Sequence, residues 1–228
     1  MKISTVIFDV DGLMLDTEPP ARAAWRLALG ERGLSVDDAL FSQMAGRTKQ
    51  DARELIVKVL PPDFPFDEVY ARRVHHLERY FAENGIPVKP GLGNLLDYLE
   101  AHGYHKAVAS STYRELTVRK LDRAGVLERF EAVVGGDEVT NGKPAPDIFL
   151  EAARRLGVQP GECIVLEDSE AGIRAAHAAG MLPVMVPDLM QPRAEIARLA
   201  YRILPTLLEV RDFLAAGGVG RGPSEVDG

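Results

Sequence analysis

The chain has 228 residues, more than a typical single domain, so we expect two domains or one domain that carries an insertion. Hydrophobic residues make up 46% of it and charged residues 27%, a balance that excludes a disordered chain. The formal net charge of −7 argues against nucleic acid as a partner, because binding to a phosphate backbone needs a basic face.

The lone cysteine and the apolar runs bear on the compartment. Cys163 lies in the run CIVL and cannot form a disulfide within the chain. It is expected to be a buried thiol, which fits a reducing compartment. The N-terminal segment turns acidic too early for a signal peptide, and no apolar run reaches the roughly 18 residues of a membrane span. We therefore predict a cytoplasmic protein without a membrane partner.

Short β-rich apolar runs alternate with helical patterns along most of the chain. The first run is TVIF at residues 5–8, and it ends abruptly in DVDG. Later runs are KAVAS at 106–110, EAVVG at 131–135, CIVL at 163–166 and LPVMV at 182–186. Apolar residues with helical spacing lie between them, at 92–99, 148–156 and 173–180. This alternation predicts a doubly wound, Rossmann-like α/β fold with a parallel sheet.

Residues 17–87 break the alternation, because they contain helical patterns only, at 21–29, 55–60 and 70–81. Prolines and glycine at 87–91 mark the return to the α/β pattern. We therefore predict a catalytic core formed by residues 1–16 and 88–214, with an inserted α-helical cap at 17–87. The Gly-rich segment 215–228 is predicted to be a flexible tail.

Polar residues follow the predicted strands at the edge where sheets of this class bind ligands. Candidate site residues at that edge are Asp9 and Asp11 after the first strand, Ser110 and Ser111 after the second, Lys143 in the loop before the fourth, and Glu167 and Asp168 after the fourth.

Four segments, DVDGLMLDTE, ASS, GKPAPDIF and EDSEAGI, resemble the four motifs of the haloacid dehalogenase superfamily in order and context. The helical insertion stands where that family inserts a small cap, and the resemblance covers the chain up to its Gly-rich tail. It implies a phosphatase that hydrolyses a small phosphorylated metabolite through an aspartyl phosphate on Asp9. The implied cofactor is Mg²⁺.

The chemistry of these residue types supports the implied roles. A carboxylate can attack a phosphoryl group when a metal ion and a lysine offset the repulsion between the anions, which suits Asp9 and Lys143. Asp11 would exchange protons with the leaving oxygen and with water. Mg²⁺ prefers hard oxygen ligands, and the expected ligands are Asp9, the backbone carbonyl of Asp11, Glu167 and Asp168.

The resemblance also implies how the substrate is held. The Ser110 hydroxyl and backbone N–H groups near Ser111 would bind the phosphate. Gly46, Arg47 and Lys49 resemble the cap's specificity loop and could contact the leaving group, although the two cations could equally cover a helix start in solvent. The segments DTEP and GMLPVMVPD resemble sugar-phosphate, phosphoglycolate and pseudouridine-5′-phosphate phosphatases, without a choice among them.

Two other functions stay open. A β-phosphoglucomutase resembles this chain in cap and motifs, but its cap histidine is replaced here by Ala21, which favours a phosphatase. A catalytically inert binding module is the second alternative, although every expected catalytic side chain is present. The pattern allows a monomer or a homodimer.

Overall fold

A computed structural model describes residues 3–44, 49–61, 63–188 and 191–219. Contacts within the chain divide it into two compact units, which are Met1–Leu15 with Val88–Gly228, and Asp16–Pro87. Residues 220–228 of the predicted tail lie outside the described part. No helix in that part is long and apolar enough to cross a membrane.

The first unit is built on a parallel sheet in the order β3-β2-β1-β4-β5-β6. Its strands are β1 (Thr5–Phe8), β2 (His105–Ser110), β3 (Ala132–Gly135), β4 (Cys163–Glu167), β5 (Leu182–Met185) and β6 (Arg202–Ile203). Every residue of β1 and β4 is buried, as expected of central strands covered on both faces. The predicted doubly wound α/β fold is confirmed, with the addition of the short edge strand β6.

Helices cover the sheet and close its core. In this unit they are α5 (Leu92–Ala101), α6 (Arg114–Arg123), α7 (Asp147–Leu156), α8 (Glu170–Ala178), α9 (Ala194–Ala197) and α10 (Leu207–Ala215). Phe149 and Ala152 of α7 pack in one buried cluster with Ile7 of β1 and Val165 of β4. This packing fixes the strands whose carboxyl ends carry the candidate site residues.

The second unit is helical in its described residues. Its helices are α1 (Glu18–Gly30), α2 (Asp38–Met44), α3 (Lys49–Ile56) and α4 (Phe66–Asn84). Trp25 of α1 contacts Tyr70 of α4 edge to face, with ring centroids 5.9 Å apart. The predicted helical pattern at 55–60 is only partly helical, because α3 ends at Ile56 and Val59 lies exposed in the turn that follows.

Candidate active site

Adjacent strands β1 and β4 deliver the acidic residues of the site. Phe8 lies opposite Leu166, and the backbone N–H of Asp9 donates to the Leu166 carbonyl at 3.0 Å. Asp9 and Glu167 therefore leave the sheet side by side. Carboxylate oxygens of Asp9, Glu167 and Asp168 all lie within 4.8 Å of one another. The sheet thus concentrates three acidic groups at the carboxyl ends of its two central strands.

Lys143 enters this acidic cluster from the loop before α7. Its Nζ lies 2.5 Å from Asp9 Oδ1, 2.5 Å from Glu167 Oε1 and 3.1 Å from the Ala109 carbonyl oxygen. The side chain is only 4% exposed. Burial would lower the pKa of Lys143, but the two carboxylates outweigh it and raise the pKa above its ordinary value. Lys143 is therefore a fixed positive charge against Asp9.

The acidic cluster carries more negative charge than Lys143 offsets. Burial raises the pKa of Asp9 to about 7, and the negative charge of Glu167 adds to the rise while Lys143 opposes it. The pKa of Asp168 is also raised well above its ordinary value, first by burial and then by neighbouring carboxylates. Oxygen ligands this close together suit a hard divalent cation, which would relieve the repulsion. Asp9, Glu167 and Asp168 therefore fit a metal ion.

The start of α8 holds Glu167 in place. Glu167 Oε2 accepts from the Ser169 backbone N–H at 2.9 Å and from the Ser169 hydroxyl at 2.8 Å. The same Ser169 caps α8 by accepting from the Gly172 N–H at 3.1 Å. Gly172 lies so close that an added Cβ would stand 1.9 Å from Glu167 Oε1. The residues of EDSEAGI thus act as one unit that orients Glu167.

The Asp11 carboxylate is held by α6 and by the turn after β2. Lys120 Nζ lies 2.6 Å and 2.7 Å from the two carboxylate oxygens of Asp11. The Thr112 hydroxyl donates to Asp11 Oδ2 at 3.1 Å. The Asp11 carboxylate is absent from the acidic cluster formed by Asp9, Glu167 and Asp168. This orientation leaves the Asp11 carboxylate available for proton exchange with a substrate. The group that Asp11 could offer to a metal ion is then its backbone carbonyl.

The end of β2 provides hydroxyl and backbone groups. Ser110 is buried, and its Oγ accepts from the Thr112 N–H at 3.1 Å. Ser111 is exposed, and its carbonyl oxygen would stand 2.4 Å from a Cβ added at Gly136. The turn after β2 is therefore tightly packed, with Ser110 inside and Ser111 at the surface.

Sequence patterns assign no role to four residues near the site. They are Thr112, Lys120, Lys89 and Asp188. Lys89 Nζ binds Asp188 Oδ1 at 2.6 Å, and the Asp188 charge helps to raise the pKa of Asp168. Asp188 lies three residues after β5 and ends the segment GMLPVMVPD, which indicates phosphatases by resemblance but assigns no role to this carboxylate. Lys120 lies within the charged sequence of α6, where no local pattern distinguishes it.

Three of the predicted substrate-binding residues belong to the helical cap. Gly46 and Arg47 lie outside the described residues. Lys49 is described, and its Nζ pairs with Asp67 at 2.9 Å and lies 5.0 Å from the centroid of the Tyr70 ring. Its side chain is half exposed in this arrangement. The role of these three residues in substrate binding stays a prediction.

Comparison with known proteins gives consistent matches. The model of the haloacid dehalogenase-like hydrolase family matches residues 3–180. Fructose-1-phosphate phosphatase YqaB of Escherichia coli (strain K12) is 36% identical over 77% of this chain and 92% of its own length. The phosphorylated carbohydrates phosphatase of Thermotoga maritima is 30% identical over 78% of this chain and 82% of its own length.

Among solved structures, CbbY from Rhodobacter sphaeroides in complex with phosphate superposes with a TM-score of 0.77. It is 27% identical, and the match covers 91% of this chain and 96% of that one. Similarity therefore extends through both the α/β unit and the helical unit.

Proposed function

The chain belongs to the haloacid dehalogenase-like hydrolase family and is a phosphoric monoester hydrolase, and we propose that it is a Mg²⁺-dependent phosphatase of small phosphorylated sugars with Asp9 as its nucleophile. The observation that carries this proposal is the convergence of Asp9, Lys143, Glu167 and Asp168 at the carboxyl ends of β1 and β4. Such a group combines a nucleophile with the positive charge that phosphoryl transfer requires.

In the first step, Asp9 attacks the phosphorus atom and forms an aspartyl phosphate. Attack needs an ionised carboxylate, whereas burial alone favours the protonated form of Asp9. The Lys143 ammonium at 2.5 Å favours the ionised form and can also stabilise negative charge on the transferred group. A bound Mg²⁺ would supply further positive charge to Asp9 and to the phosphoryl oxygens.

Asp11 handles the protons of both steps. Its carboxyl group protonates the leaving sugar oxygen in the first step and takes a proton from the attacking water in the second. Lys120 and Thr112 donate three hydrogen bonds to this carboxylate and fix its orientation. Ser110 and the backbone N–H groups near Ser111 would bind the phosphoryl oxygens. Hydrolysis of the aspartyl phosphate then restores Asp9.

The substrate class is proposed from the relatives. One is named for fructose 1-phosphate and another for phosphorylated carbohydrates. The buried free thiol of Cys163 agrees with a reducing compartment such as the cytoplasm. Specificity for one sugar would come from the helical unit, where Gly46, Arg47 and Lys49 remain the candidate contacts.

A phosphate-release assay tests the proposal. Fructose 1-phosphate, other sugar phosphates, phosphoglycolate, a nucleotide and β-glucose 1-phosphate are assayed with Mg²⁺ and with EDTA. We expect selective release that requires Mg²⁺ and is lost in Asp9→Asn. The control is Asp97→Asn, which also removes one negative charge but at an exposed position paired with Arg129. Wild-type rates in Asp9→Asn would overturn the nucleophile assignment.

The same assay separates hydrolysis from mutase activity. Conversion of β-glucose 1-phosphate to glucose 6-phosphate with little free phosphate would identify a mutase. We expect free phosphate instead, since Ala21 occupies the position at which the mutase has its cap histidine. Absence of both reactions on every substrate would favour the inert module.

A further inference from the structure

Asp188 is a nearly buried carboxylate whose two oxygens have different surroundings. Its side chain is 10% exposed. Oδ1 accepts from Lys89 Nζ at 2.6 Å. Oδ2 is buried and has no hydrogen-bond partner among the described residues. Lys89 therefore fixes the carboxylate in an orientation that leaves one acceptor oxygen unused.

The unused oxygen faces the metal-ligand candidate Asp168. A Cβ added at Gly12 would lie 2.2 Å from Asp168 Oδ2 and 3.4 Å from Asp188 Oδ2. Both Oδ2 atoms therefore lie beside Gly12, where any other residue would carry a side chain. Gly12 has a φ of +91°, a conformation that glycine adopts without strain. Asp168 Oδ2 therefore occupies room that a side chain at position 12 would fill, and Asp188 Oδ2 lies next to it.

Two carboxylate oxygens this close together are unfavourable unless a hydrogen-bond donor satisfies them. A buried acceptor without a partner is destabilising, and more so when it is charged. The negative charges of Asp168 and Asp188 also repel each other. A molecule that donates hydrogen bonds to Asp188 while satisfying Asp168 would remove both penalties. A water molecule bound to a cation has these properties, because the cation makes its hydrogens stronger donors.

The distances distinguish a water-mediated role from direct coordination. Oxygens of Asp9, Glu167 and Asp168 lie within 4.8 Å of one another, whereas Asp188 does not belong to that set. Mg²⁺ also keeps several of its waters when it binds to proteins. We infer that Asp188, oriented by Lys89, accepts a hydrogen bond from a water on the metal ion proposed for the acidic cluster, and so sets the affinity for that ion. This inference rests on the proposed function.

Asp188→Asn tests the inference, because it replaces the acceptor oxygen that faces the water by an amide donor. With Lys89 donating to the amide oxygen, the NH₂ group faces the water, so two donors oppose each other. Groups that orient metal ligands or waters typically contribute 10- to 100-fold to metal affinity. We expect the Kd for Mn²⁺, used as a probe for Mg²⁺, to rise by about that factor. Electron paramagnetic resonance of free Mn²⁺ measures it, and water-proton relaxation counts the bound waters.

Asp97→Asn is the charge-matched control, and its Kd should stay within about twofold of the wild-type value, because surface charges at a distance are screened. Asp188→Ala provides a second variant, with the same expected weakening, if Asp188→Asn does not fold by circular dichroism. An unchanged number of bound waters together with weaker binding supports the inference.

Two results would overturn this inference without affecting the proposed function. One is a Kd for Mn²⁺ in Asp188→Asn within about twofold of the wild-type value. The other is one additional bound water in that variant, which would make Asp188 a direct ligand. Absence of Mn²⁺ binding by the wild-type protein would overturn the metal dependence in the proposed function as well.

Discussion

Lysine side chains hold most of the carboxylates in this site. Lys143 holds Asp9 and Glu167, Lys120 holds Asp11, and Lys89 holds Asp188. Each lysine is at least three-quarters buried, so its charge is screened less by solvent than that of a surface lysine. Each lysine thereby offsets part of the negative charge of the site, and a bound metal ion would offset more of it.

Lys120 is expected to affect catalysis because it fixes the orientation of the Asp11 carboxylate. Lys120→Met removes the contact with both Asp11 oxygens, so the acid that protonates the leaving group is misplaced. We expect kcat to fall about 10- to 100-fold for a sugar phosphate. For p-nitrophenyl phosphate the loss should be small, because that leaving group needs little protonation.

Lys120→Arg is the matched control and should retain most activity, since it keeps the charge and the reach. Equal losses on both substrates in Lys120→Met would show a general structural effect and contradict the positioning role.

The raised pKa of Asp9 predicts a pH dependence of metal binding. Burial raises this pKa to about 7, so below pH 7 a proton competes with the metal for Asp9. Metal affinity should therefore fall as the pH falls through 7, and the raised pKa of Asp168 adds to this fall. With one competing proton, the Kd for Mg²⁺ at pH 6 should be about tenfold higher than at pH 8. Calorimetric titration at both pH values measures this difference, and equal affinities would contradict the prediction.

At the scale of elements, the first turn of α8 is built around Glu167. Gly172→Ala should gain up to about 1 kcal/mol in helix propensity. An added Cβ, however, would stand 1.9 Å from Glu167 Oε1 and from its Cδ, so Glu167 must move. We expect the steric effect to exceed the gain, with a lower free energy of unfolding and weaker metal binding.

Gly93→Ala in α5 is the matched control, because no atom lies within 4 Å of its added Cβ. It should be neutral or slightly stabilising in chemical denaturation. Equal stability of the two variants would contradict the tight packing of Gly172 on Glu167.

Some helices and strands can be recognised in the sequence, and others cannot. Strands β1 and β4 are buried on both faces, so they are continuous apolar runs that are easily recognised. Strand β6 has only two residues, both exposed, and carries no such signal. Helix α6 has the sequence RELTVRKLDR with two buried residues, too few for an apolar stripe. Burial therefore decides what is predictable, and polar edge elements escape.

Across the whole molecule, the chain order of the motifs was enough to indicate the family and the residues that follow β1, β2 and β4. Pairings between distant residues were not predictable. Asp11 and Lys120 are 109 positions apart, and Lys89 and Asp188 are 99 positions apart. Such pairs leave no local spacing in a sequence, because the fold alone brings them together. The acidic cluster was predictable since the parallel sheet places its strand ends together.

Detection of an aspartyl phosphate on Asp9 during turnover tests the proposed chemistry most directly. The reaction is quenched with acid while a sugar phosphate is being hydrolysed with Mg²⁺, and borohydride then reduces any acyl phosphate to an alcohol. Peptide mass spectrometry locates the reduced residue. We expect homoserine in place of Asp9 in the wild-type protein and none when EDTA is present. Unmodified Asp9 during measurable phosphate release, or reduction at another carboxylate, would contradict the assignment of Asp9 as nucleophile.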